Sequence, residues 1–218
     1  MKMPGSRLPR HAYLVIGGAA IGLTFASSAE PRDTAQYLSL ATAYTAYLFL
    51  VAAMLIGPRN IVRSGRPIIS SQLRRHLGIY SGLFAILHVI AGLNVHFHGH
   101  IEYYFLQPRY NYHEYRLRGD AFGITNDIGA LVTAAIILLV VLSNNFMLRT
   151  LGARRWKNLQ RLSYPVFFGI TLHAIIYQLI EHRSIMIVAS LTAMAVLVVG
   201  AHVIGIVRYR NRQSIVSG

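Results

Sequence analysis

His88 and His173 each sit inside a long apolar stretch, Phe84-Ala85-Ile86-Leu87-His88-Val89-Ile90 and Ile170-Thr171-Leu172-His173-Ala174-Ile175-Ile176. An ionisable ring at such a position is costly and is usually retained for a ligand, a proton path or a counter-charge. Neutral imidazole offers a nitrogen lone pair, which haem iron accepts readily, and two imidazoles on facing helices are a recurrent way to hold haem in a bundle. The plainer alternative is a pair of neutral histidines hydrogen-bonded to Ser or Thr on neighbouring helices. Two rings at equal depth favour the metal, so the elements that carry them have to be located.

Of the 218 residues, 54% are hydrophobic and only 13% charged, too apolar for an ordinary soluble domain. The expectation is one all-α polytopic membrane domain over residues 1–218 with six spans, at about 12–29, 37–57, 76–97, 122–143, 162–181 and 184–207. Gly17, Gly18 and Gly22 make the first span the weakest, and Ala26-Ser27-Ser28-Ala29 could mimic the cleavage site of a signal peptide. An uncleaved helix is preferred, because an even number of spans puts the basic segments on one side.

Those segments carry Lys2, Arg7, Arg10, then Arg59, Arg63, Arg66, Arg74, Arg75, then Arg149, Arg154, Arg155, Lys157, Arg161, then Arg208, Arg210 and Arg212, 16 of the 21 basic residues. The acids Glu30, Asp33, Glu102, Glu114, Asp120, Asp127 and Glu181 fall on or near the other side. The positive-inside rule then places both termini in the cytoplasm. Spans three and five run the same way, with His88 13 residues beyond Arg75 and His173 12 residues beyond Arg161. At ~1.5 Å per residue both rings lie about 18 to 20 Å from the inner edge, in the outer half of the bilayer.

A net charge of +14 raises nucleic acid as a partner, but the basic residues are split among four juxtamembrane segments and build no groove. Anionic lipid headgroups suit them better. With no cysteine there is no disulfide, iron–sulfur cluster, thiolate zinc site or c-type haem attachment. A metal must therefore use His, Met or oxygen donors. Buried acids and broken helices of the kind that often mark transporters are not evident, and Asp127 is the one acid within an expected span apart from Glu181 at the last residue of the fifth.

Arg74-Arg75-His76-Leu77-Gly78-Ile79 through Leu87-His88, with Leu151-Gly152-Ala153-Arg154-Arg155-Trp156-Lys157-Asn158-Leu159-Gln160 through Tyr164 and His173, resembles the ferric reductase-like transmembrane domain family. Within that family the chain is most similar to the haem-binding membrane subunits of bacterial periplasmic methionine sulfoxide reductase systems, over roughly residues 40–182. The resemblance implies a six-helix b-type cytochrome of the bacterial inner membrane, with His88 and His173 at the outer-side ligand positions of its third and fifth helices. It also implies departures. Where the family commonly has an inner His 13 residues before the outer one on the fifth helix, this chain has Gln160, and the position 14 residues before His88 is Arg74. His76 and His202 are alternative ligands for a second, inner haem, although His76 is about 120° around the helix from His88. The bland reading makes both interfacial residues. Gly78, Gly82, Gly92 and Gly169 either leave room for a flat macrocycle or serve ordinary helix packing.

Residues 96–118 form a long external loop rich in His, Tyr and Arg. It could offer Arg109, Arg116 or Arg118 to haem propionates, dock an external redox partner through residues 96–121, or bind a transition metal through His96, His98 and His100. An aromatic belt at the membrane interface is the simpler use. The sequence thus predicts a membrane cytochrome b subunit with one bis-His haem b, an electron-transfer component with no catalytic residue of its own. Its electrons would come from quinol, flavin or a separate protein, since little chain follows the sixth span. The alternative is an accessory subunit of a larger respiratory or photosynthetic complex with little or no electron-transfer duty.

Overall fold

The computed structural model describes residues 7–64, 72–108 and 114–217, with the side chains of 7–10 and 215–217 left aside. The chain forms α1 (Arg7–Ser28), α2 (Thr34–Ser64), α3 (Gln72–Gly92), a single turn α4 (Glu102–Phe105), β1 (Leu106–Pro108), β2 (Tyr115–Leu117), α5 (Ala121–Leu142), α6 (Asn145–Gln160), α7 (Ser163–Ile180) and α8 (Ile185–Ser217). It is an all-α membrane protein in architecture, with five helical stretches long and apolar enough to cross a bilayer: His11–Ser28, Thr34–Ser64, Ala121–Leu142, Asn145–Ile180 and Ile185–Ser214. The expected third span, 76–97, overlaps α3, which begins four residues earlier, ends at Gly92 and carries Arg74, Arg75, His76 and His88, polar groups that lower its hydropathy.

α2 is the central helix. More than half of its apolar window (56%) is buried inside the protein, against at most 22% for the other four stretches. It packs on α1, α3 and α8, while α7 packs on α5 and α8. Gly18 and Gly22 bring α1 directly onto α2, since a side chain at either would collide with Phe49 or with Thr45 and the Ala41 carbonyl. The core joins Ala26 of α1, Tyr44, Tyr47 and Met54 of α2, Phe167 of α7 and Leu191 and Val198 of α8. Polar groups within it are satisfied across helices, as a medium without water requires. Tyr47 Oη donates to the Leu191 carbonyl at 3.2 Å, Tyr44 Oη to Gln178 Oε1 at 3.3 Å, and Ser81 Oγ to the Ala46 carbonyl at 2.8 Å.

Two segments read as loops are structured. The basic stretch after α5 forms α6, capped by Asn144, whose side chain accepts from the Met147 amide at 2.8 Å, and broken at Gly152, where φ is 72°. In the loop after α3, β1 and β2 pair antiparallel with Leu106 opposite Leu117 and Gln107 opposite Arg116, a small strand element the all-α expectation did not contain. Asp120 caps α5 by accepting from the Gly123 amide at 2.9 Å. The Arg118 guanidinium beside it, together with that amide, holds the Asp120 carboxyl down at about 2.

Candidate functional site: two facing histidines

α3 and α7 bring His88 and His173 together, with ring centres 6.4 Å apart and planes at 73°. Each ring is fixed through Nδ1. His88 Nδ1–H donates to the Ser39 carbonyl on α2 at 2.9 Å, with Ser39 Oγ at 3.1 Å, and His173 Nδ1–H donates to the Thr125 carbonyl on α5 at 2.9 Å. A carbonyl oxygen only accepts, so the proton sits on Nδ1 and the lone pair on Nε2. Metal-ligating histidines are commonly oriented by such a bond from the other ring nitrogen. Two imidazole nitrogens at about 2 Å from a shared metal would place ring centres roughly 6 Å apart. The donor set, its tautomers and its spacing therefore fit bis-imidazole ligation of haem iron.

Glycine makes room for this arrangement at a position the sequence reading passed over. A Cβ at Gly129 on α5 would stand 2.9 Å from His173 Cε1 and 3.1 Å from its Nδ1, so any side chain there meets the ring. Its signal was a glycine beside Ala130 inside the most apolar helix. Gly92 lies beside Ser39 Oγ and His88 Cε1. Gly82 packs against Val140 and Ile136, and Gly169 against Val132, which is helix packing, whereas Gly78 faces open space.

Above His173 an aromatic cluster continues through Tyr177 at 5.3 Å to Phe122 at 5.8 Å and His96 at 6.0 Å, ring centre to ring centre. The loop closes over this end because Tyr104 Oη donates to the Gly92 carbonyl at 2.8 Å. His96 and His100 face different carboxylates, Glu181 Oε1 at 3.4 Å and Glu102 Oε1 at 3.2 Å, and His98 occupies the left-handed region at φ 49°. Among the described residues no group of three or more His, Asp or Glu gathers as a metal site, so the three loop histidines are not brought together. Partly buried Glu181 also meets Arg32 at 3.4 Å and Arg183 at 3.8 Å, fastening the two short loops at this end to the long one.

Arg118 is committed to the loop. It pairs with Asp120 at 2.7 Å, donates to the Tyr103 carbonyl at 3.2 Å and lies 4.7 Å over Phe122. Arg116 is exposed on β2, and Arg109 lies outside the described residues. Neither His76 nor His202 pairs with the other. His76 stacks edge-on against His11 at 4.6 Å, and His202 Nδ1–H donates to the Val198 carbonyl at 2.8 Å while its ring meets Tyr164.

A helical membrane protein with two oriented imidazoles facing one another across its bundle defines the class. The chain belongs to the family described as ferric reductase like transmembrane component, whose model matches residues 40–171, more than half of its length. The match takes in His88 and stops two residues short of His173. No curated protein matches the chain. Membership supports a membrane redox role.

Proposed function

We propose that this protein is a six-span b-type cytochrome subunit of a bacterial inner membrane. Both termini are cytoplasmic, α1 is retained as an uncleaved span, and α3 crosses the bilayer despite its polar residues. His88 and His173 hold one haem b toward the outer side, and the subunit carries electrons between quinol or flavin and an external redox partner that docks on the 96–121 loop. The observation that carries this reading is the pair of rings 6.4 Å apart, each with Nδ1 spent on a backbone carbonyl.

Haem bound there supplies one-electron chemistry. The chain's own part is to present two neutral Nε2 lone pairs, to hold the rings through Ser39 and Thr125, and to keep water from them with Tyr177, Phe122 and Tyr104. Burial and ligand type then set the potential. The accessory-subunit reading draws on Arg74 and Gln160, which stand where the family commonly has its inner pair of histidine ligands. An absorption spectrum of the purified, dithionite-reduced protein separates the two. A b-type spectrum lost in both His88→Ala and His173→Ala supports the cytochrome, and protein that takes up no haem sinks it.

A further inference from the structure

A second feature lies at the arginine-rich end of the bundle. A cavity of about 560 Å³ opens between α2, α3, α5, α6, α7 and α8. Its polar lining is cationic or neutral, with Arg74, Arg75, Lys157, Arg161, Gln160 and His202, and no Asp or Glu borders it. Deeper in, its walls are apolar side chains such as Met54, Ile136 and Phe167. Four cations over an apolar chamber match an amphiphile with an anionic head, and basic pockets between membrane helices recognise lipid headgroups in this way.

Three local observations mark the cavity as a shaped site. Arg75 Nη1 donates to Asn145 Oδ1 at 2.6 Å and its guanidinium sits 6.0 Å from the Trp156 ring centre, which fixes that charge at the cavity's edge. Gly57 keeps the wall low beneath Arg74, whose Nη1 lies 3.5 Å from where a Cβ would stand, and a Cβ at Gly78 would meet nothing within 4 Å. Ser163 Oγ is buried and has no hydrogen-bond partner among the described residues, a cost that a ligand oxygen would remove. Among the described residues His202 is the one imidazole lining the chamber, so they offer no axial pair for a second haem.

We propose that this cavity binds one anionic phospholipid, its phosphate among Arg74, Arg75, Lys157 and Arg161 and its acyl body between the helices. The site stands on the cavity and its charges, independently of any haem at His88 and His173. A lipid bound there fills the space between these six helices, and ties α6 to the bundle through its headgroup.

The test uses the full chain, delipidated in neutral detergent and mixed with dioleoyl phosphatidylglycerol or dioleoyl phosphatidylcholine, with adducts counted by native mass spectrometry. The expected result is one phosphatidylglycerol retained per chain, preferred over phosphatidylcholine by at least about tenfold. Gly78→Leu, which places a side chain in the open space, and the double variant Arg74→Gln with Arg161→Gln should each lower retention at least about tenfold, with helix content unchanged by circular dichroism. Should Gly78→Leu fail to fold, the arginine variant decides alone. Equal retention of the two lipids, or full retention in the arginine variant, overturns the proposal. So does displacement of phosphatidylglycerol by millimolar inorganic phosphate, which would make the ligand a free anion. A haem content of two per chain that falls to one in His202→Ala would assign the cavity to haem instead.

Discussion

The two ends of the α3–α7 pair place residues at corresponding heights but use them for opposite chemistry. Toward the 96–121 loop, His88 and His173 stand with ring centres 6.4 Å apart, each keeping an Nε2 lone pair and turning its N–H group toward a carbonyl of α2 or α5. Fourteen residues before His88, on α3, stands Arg74, and thirteen before His173, at the last residue of α6, stands Gln160; both border a cavity ringed with cations. One end carries neutral nitrogen donors, which suit a metal, and the other carries positive charge, which suits an anion. A shared backbone plan therefore says where a cofactor can sit, and the side chains decide which kind.

The largest expected effect breaks the loop end. His88→Ala or His173→Ala should abolish the reduced b-type spectrum, because one remaining imidazole cannot complete the bis-His site. Gly129→Ala comes next. Its methyl meets the His173 ring at 2.9 Å and should lower haem affinity roughly tenfold or more, read by haem retention on a size-exclusion column, while the same change at Gly78 leaves it unaltered. Converting the arginine-rich end sharpens the contrast. Arg74→His together with Gln160→His should raise haem content from one toward two per chain in a pyridine haemochrome assay, and an unchanged content would mean that the cavity's shape excludes a macrocycle.

The smallest effect concerns the loop that covers the histidines. Asp120→Ala removes the cap of α5 and should cost about 1 kcal/mol, seen as a lower Tm in detergent. Arg118, with the Gly123 amide, depresses the Asp120 carboxyl to about 2 in the folded protein, below its ordinary value near 4. Its contribution is therefore present above about pH 4 and is lost as pH falls toward 2. In wild type that loss should show as a decline in Tm absent from Asp120→Ala.

Hydropathy alone located the long helices, because 20 or so apolar residues have few other uses. The histidine pair was legible for the same reason: polar rings stand out against Leu, Ile and Val. Other parts were hidden by their chemistry. α6 has no sustained apolar run, so its basic residues read as loop, although Asn144 was an available cap signal. The paired strands of three residues each are too short for an alternation to register. His96, His98 and His100 looked like one cluster because they are adjacent in sequence, yet two of them are drawn apart by Glu181 and Glu102. Least visible were the partners of His88 and His173, since a backbone carbonyl has no residue type to announce it.

That last feature has a consequence for how the site tolerates genetic change. The carbonyls that aim both imidazoles belong to the peptide units of residues 39 and 125, and of the two side chains only the Ser39 hydroxyl, 3.1 Å from His88 Nδ1, adds a contact. Ser39→Ala or Thr125→Val would leave each acceptor where it is. Drift at these codons is thus nearly silent for imidazole orientation, and what selection must preserve is the path of α2 and α5 past the rings.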